Sequence, residues 1–125
     1  MYFKNNRPIF FQIAEDIERK IYGGEYKAGQ KLPSIRELGL SLGVNPNTVV
    51  RVYEELESRG LVRTESTSGK FVIDDEKKIN ELKDGYIGRK TREFVTEMKE
   101  LGVSERDLLK AMKGEDENVQ SAKTE

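Results

Sequence analysis

The sequence predicts a mostly α-helical fold carrying one small β-hairpin, and three observations lead there. Apolar residues recur at three- and four-residue steps in three separate N-terminal stretches, each with its own start and stop signals. Two short β-rich runs flank a Ser/Thr/Gly turn directly after the third stretch. A second helical pattern then resumes and keeps a mixed three/four spacing as far as Leu101.

Pro8 opens the first helix, since the N–H it lacks would have no partner in an opening turn. Ile9, Phe10, Ile13, Ala14, Ile17 and Ile21 form one apolar face, and Gly23-Gly24 ends it. A polar loop with Tyr26 and Gly29 leads to Leu32-Pro33. Ser34 followed by Glu37 is a capping box that starts a second, short helix with Ile35, Leu38 and Leu42 as its buried stripe, closed by Gly43. Asn45 as N-cap and Pro46 at the first helical position start the third helix. Its stripe is Val49, Val52, Tyr53 and Leu56, and Gly60 stops it. Leu61, Val62 and Thr64 read as a strand, Ser66-Thr67-Ser68-Gly69 as a turn, and Phe71-Val72-Ile73 as the returning strand. That order is the order of a winged helix-turn-helix domain, assigned here to residues 1–73.

Residues 74–113 read as a short helical dimerisation arm. Ile79, Leu82, Tyr86, Phe94, Val95, Met98 and Leu101 approach a heptad seam, and Gly85 and Gly88 predict a kink or a break within it. Gly102 stops the helix, and Ser104 with Asp107 starts a last one carrying Leu108, Leu109 and Met112. Phe94, Val95, Met98 and Leu101 suit a seam against a partner helix better than a ligand pocket, so the seam predicts a homodimer. Residues 114–125, almost without aliphatic side chains, are expected to be disordered.

Composition narrows the chemistry. The 125 residues include no histidine and no cysteine. Ser-His-Asp and Cys-His catalysis, His-based zinc chemistry, thiolate metal sites and disulfides are therefore excluded, and neither an enzyme nor a cofactor or metal protein is expected. The thiol-free chain suits a reducing cytoplasm. No run approaches the ~18 apolar residues of a membrane span, and MYFKNNRPIF lacks the apolar core of a signal peptide. The formal charge of −1 argues mildly against nucleic acid. Its distribution argues the other way: residues 1–72 hold eleven basic and nine acidic side chains, whereas residues 73–125 hold eleven basic and fourteen acidic.

In a helix-turn-helix the second helix of the unit lies in the major groove with its first turn toward the bases. Here that turn offers Asn45, Pro46, Asn47 and Thr48, with Arg51 one turn on. Asparagine can pair with the adenine edge, and a threonine methyl can touch that of thymine. Read alone, Asn-Pro-Asn-Thr is merely a well-capped helix start; the capped helix before it and the hairpin after it make it a base-reading candidate. Arg36, on the preceding helix, can clamp a phosphate or a guanine edge. Glu54, Glu55 and Glu57 fall in the far half of the reading helix.

Residues 7–73 resemble the DNA-binding domain of the GntR family of bacterial transcription regulators. The resemblance is carried by Pro8–Ile13, by Ile21–Leu38 with its Leu-Pro-Ser-Ile-Arg-Glu-Leu run, by Gly43–Val49, and by Tyr53–Val62. The Asn-Pro-Asn-Thr-Val turn and the short tail resemble the YtrA-like subfamily. The resemblance implies DNA contacts from Ser34 and Arg36 of the Pro-Ser-x-Arg-Glu-Leu motif, from Asn45 to Thr48, and from Arg51. It also implies a wing entering the minor groove. The family wing reads Arg-Gly-x-Gly-Thr-Phe-Val, whereas this chain has Ser66-Thr67-Ser68-Gly69-Lys70-Phe71-Val72, which keeps Gly69 and leaves Lys70 to hold phosphate. Gly39 stands where the family usually has alanine. The implied partners are a palindromic double-stranded operator, bound as a repressor would bind it, and a second copy of the chain. No feature supports a small-molecule effector. The competing expectation is a winged-helix module that binds protein and never reads sequence.

Overall fold

The computed structural model describes residues 7–114. Past Gly114, the expectation of a disordered tail falls outside them. Five helices and two strands follow in the order α1 (Ile9–Tyr22), α2 (Ile35–Leu42), α3 (Pro46–Ser58), β1 (Val62–Glu65), β2 (Gly69–Val72), α4 (Glu76–Glu100) and α5 (Glu105–Met112). Mostly helical with one antiparallel hairpin, this is the winged helix-turn-helix order that the capping and breaking residues predict. The chain divides into two compact units between Lys83 and Asp84.

In the first unit α1 and α2 pack on α3, and α3 packs on the hairpin. Ile13, Ala14, Ile17 and Ile21 of α1 meet Val49, Val52, Tyr53 and Leu56 of α3, and Leu38, Leu61, Val62, Val72 and Ile79 complete the core. Each Leu, Ile or Val buried this way contributes roughly 1.5–3 kcal/mol. Tyr53 is almost fully buried and its hydroxyl donates to the Pro33 carbonyl, while burial pushes its phenol well above the ordinary range.

The stripe of α2 differs from expectation. Leu42 is 43% exposed, and Gly39 takes the buried place beside Leu38. The cause is a close approach: a Cβ on Gly39 would lie 3.1 Å from the Val44 carbonyl and 3.5 Å from Val49. The inward face is thus centred on Leu38 and Gly39, and Leu42 turns to the rim. Gly43, in the left-handed region at φ 67°, then reverses the chain into α3.

The hairpin is also shifted. Its tip is Ser66–Ser68, and Gly69, at φ 110°, already belongs to β2, opposite Glu65. Leu61 and Ile73 lie just outside the strands, joined by an Ile73 N–H to Leu61 carbonyl bond of 3.0 Å. On its other side β2 takes a third partner. Leu32 N–H donates to the Lys70 carbonyl (2.8 Å), Val72 N–H donates to the Gln30 carbonyl (2.9 Å), and Lys31 bridges to Phe71. Residues 30–32, read from the sequence as loop, thus serve as a short edge strand.

α4 places Ile79 in the first unit's core, with Leu82 packed against it, and continues into the second unit. No break occurs at Gly85 or Gly88: the helix runs unbroken over 25 residues. Tyr86 is flanked by Arg89 at 5.3 Å and Lys90 at 5.5 Å, one turn on, and such pairs support the turns around the two glycines. Each glycine costs roughly 1 kcal/mol of helix propensity, which a helix of this length absorbs. In the second unit Ser104 caps α5 by accepting the Asp107 N–H at 3.1 Å. Ile87, Phe94 and Leu101, spaced by seven, are 50%, 44% and 72% exposed, while Val95 and Met98 are half-buried. Ile87 escaped the sequence reading because Tyr86 next to it fitted the spacing better.

Candidate nucleic-acid interface

The candidate surface is built by α2, the turn at Gly43 and the first half of α3. Ser34 closes its capping box: its hydroxyl accepts the Glu37 N–H (3.0 Å) and its own N–H donates to the Glu37 carboxylate (2.9 Å). That backbone N–H, with the hydroxyl, holds the Glu37 carboxyl below its usual range. The Ser34 oxygen is therefore occupied in setting the start of α2, which presents Arg36, an exposed residue, at its second position. Asn45 likewise accepts the Asn47 N–H at 2.8 Å through its side-chain oxygen. Pro46 and Asn47 are exposed beyond it and Thr48 is half-buried. Arg36 and Pro46 line one open groove of about 740 Å³, floored by Gly39 and Val44. Seven candidates (Ser34, Arg36, Asn45, Pro46, Asn47, Thr48 and Arg51) thus lie on two adjacent helices and their caps.

Charges sort along α3. Arg51, exposed, sits 4.2 Å above the ring of Phe10. In the far half, Glu55 accepts from Arg59 Nε at 2.9 Å and Glu57 pairs with Lys70 at 3.4 Å. Two of the three glutamates in the far half of α3 are therefore paired with cations. The wing candidates are placed differently from the helix candidates. Lys70 Nζ donates to Thr64 Oγ1 at 2.8 Å as well as reaching Glu57, and it lies 5.7 Å from the Tyr53 ring. Its side chain turns back along the hairpin, only 19% exposed. Gly69 stands beside it opposite Glu65, and Arg63 pairs with Glu65 while stacking on Phe71 at 4.8 Å. Phe10 and Glu57 have roles that the sequence reading missed, because each acts on a residue far along the chain.

The model of the "Bacterial regulatory proteins, gntR family" matches residues 11–72. A solved GntR family transcriptional regulator from Listeria monocytogenes is 36% identical; the match covers 90% of this chain and 98% of that one, with a TM-score of 0.82. The chain belongs to the GntR family. Two similar Bacillus subtilis proteins are HTH-type transcriptional regulators. The uncharacterized HTH-type transcriptional regulator YhcF is 38% identical over 111 residues, 89% of this chain and 92% of YhcF. The HTH-type transcriptional repressor YtrA is 36% identical over 74 residues, 59% of this chain and 57% of YtrA. The DNA-binding domain of AraR, solved in complex with operator ORR3, is 29% identical with a TM-score of 0.52, over 58% of this chain and 87% of that one. This GntR chain is a DNA-binding transcriptional regulator with a winged helix-turn-helix, not an enzyme. No helix among its described residues is long and apolar enough to cross a membrane.

Proposed function

We propose that the chain is a YtrA-like repressor that binds a palindromic operator as a homodimer. Residues 1–73 form the reading head and 74–113 the dimerising arm, acting in the cytoplasm without a cofactor. The observation that carries the reading is the charge arrangement of α3. Its first two turns present Asn47, Thr48 and Arg51 with no carboxylate among them, while Glu55 and Glu57 are bonded to Arg59 and Lys70. Together with the helix N-terminus, which favours anions, this directs the start of α3 into the major groove with Arg36 on the flanking phosphates. The similarity to YtrA supports the subfamily and the repressor role, and AraR, bound to its operator, supports the docking mode. Two heads related by a dyad would meet half-sites one helical turn apart, about 10 bp.

The test starts from duplexes selected by the wild-type chain out of a random-sequence pool. Asn47→Ala is expected to relax base preference at one position of each half-site, and Arg36→Ala to weaken all duplexes alike, each by about 1–3 kcal/mol. If both bind as wild type does, the docking is wrong. If no duplex is shifted even at low salt, the protein-binding module is the better reading.

The wing contributes through Lys70, which Glu57 holds back. Glu57→Gln is therefore expected to strengthen duplex binding severalfold. The salt dependence should steepen by about one released ion. Anisotropy titrations at several salt concentrations measure both, and unchanged affinity and slope would remove Lys70 from the interface.

A further inference from the structure

Two consecutive phenylalanines of α1 each lie under an arginine, one on α3 (Arg51) and one at its C-cap (Arg59), and the two arginines are held in opposite ways. Phe11 lies 4.6 Å from the Arg59 guanidinium, and Arg59 also pairs with Glu18 at 2.6 Å and Glu55 at 2.9 Å. Its charge is spent inside the fold. Phe10 lies 4.2 Å from the Arg51 guanidinium, and among the described residues no carboxylate pairs with Arg51. A carboxylate would fix an arginine by taking its N–H donors and cancelling its charge, both of which DNA would have to win back. An aromatic ring fixes it by the face alone. The planar fork then keeps its N–H edge, and its full charge, for an outside acceptor. Phe10 itself is held: half-buried against the core, it meets Phe11 edge-to-face at 6.4 Å.

We infer that Phe10 is a positioning residue for DNA reading, its ring holding the Arg51 guanidinium in a fixed plane with the donor edge open to acceptor oxygens of the duplex. The inference rests on Arg51 being a DNA contact, as proposed above. Its physical content is that α1, none of whose residues is among the candidate contacts, tunes affinity through a single stacked pair. Ordering the side chain beforehand removes an entropy cost from binding.

The experiment is a double-mutant cycle read as affinity for a duplex selected by the wild-type chain, with melting temperature measured alongside. Arg51→Ala is expected to weaken binding about tenfold or more, and Phe10→Leu about fivefold. Phe10→Tyr, which keeps the ring, should bind as wild type does. In the Arg51→Ala background Phe10→Leu should cost nothing further. If Phe10→Leu unfolds the domain, Phe10→Met takes its place in the cycle. An equal loss from the Phe10 change in both backgrounds would mean that Phe10 acts by packing alone and would overturn the inference. Wild-type affinity in Arg51→Ala itself would instead remove the DNA contact, and the positioning role with it.

Discussion

Arg59→Ala is expected to destabilise the winged domain by about 3 kcal/mol. The charge it would abandon is Glu18, which is 4% exposed in the middle of α1. Glu18 accepts Arg59 Nη1 at 2.6 Å on one oxygen and the Tyr22 hydroxyl at 2.8 Å on the other. Removing the arginine leaves that carboxylate out of water with half of its support gone, and the Phe11 ring loses the nearer of its two cations, keeping Arg7 at 5.4 Å. In a domain of this size the loss corresponds to a fall in melting temperature of roughly 12 °C or more. Replacing both partners together, Glu18→Met with Arg59→Met, should recover most of it, because two buried charges are then exchanged for apolar volume. Thermal denaturation of the two variants decides the matter. An unchanged melting temperature in Arg59→Ala would mean that the pair does not support the domain.

Phe94→Asp is expected to convert a dimer to monomers and to lower operator affinity at least about a hundredfold. In the second unit Ile87, Phe94 and Leu101 share a seven-residue spacing and stand substantially exposed, and Leu109 and Met112 of α5 are 54% and 70% exposed. Such apolar exposure needs a covering surface, and the proposed cover is the same face of a second copy. The reading head carries an excess of only two positive side chains over residues 1–72. In the proposed dimer one head alone would bind weakly, and linking two heads through the arms would supply the effective concentration that makes the operator site tight. Light scattering with a duplex titration checks both effects, and Phe94→Leu serves as the control that keeps the dimer. A Phe94→Asp chain that still dimerises would take the seam off this face.

What could be read from the sequence was local in the chain. The Ser34–Glu37 box, the Asn45-Pro46 start, the Gly43 reversal and the stripe of α3 all operate within a turn or two, and the structure shows each of them. The features that escaped are pairs distant in sequence. Glu18 and Arg59 are 41 residues apart, and Lys70 and Glu57 are 13 apart. Residues 30–32 have no strand pattern of their own and pair only because β2 offers a free edge. Leu42 fits the helical spacing, yet the close contact of Gly39 with the Val44 carbonyl turns it outward. Among the candidate contacts, Ser34 and Asn45 are legible as caps from their neighbours in sequence. Arg51 is held by a ring and Lys70 by a carboxylate, and both partners are distant in the chain.

The edge formed by residues 30–32 has a consequence for how such a reader diversifies. β2 is clasped on one side by β1 and on the other by backbone bonds from Gln30 and Leu32, and none of these uses a side chain of the Ser66–Ser68 tip. The root of the wing is therefore indifferent to the chemistry at its end. Substitutions, or a longer tip, can be exchanged there like a cassette while the frame that aims α2 and α3 stays in register. A lineage can vary the tip at almost no cost to folding, and the same three positions are where a designer should graft.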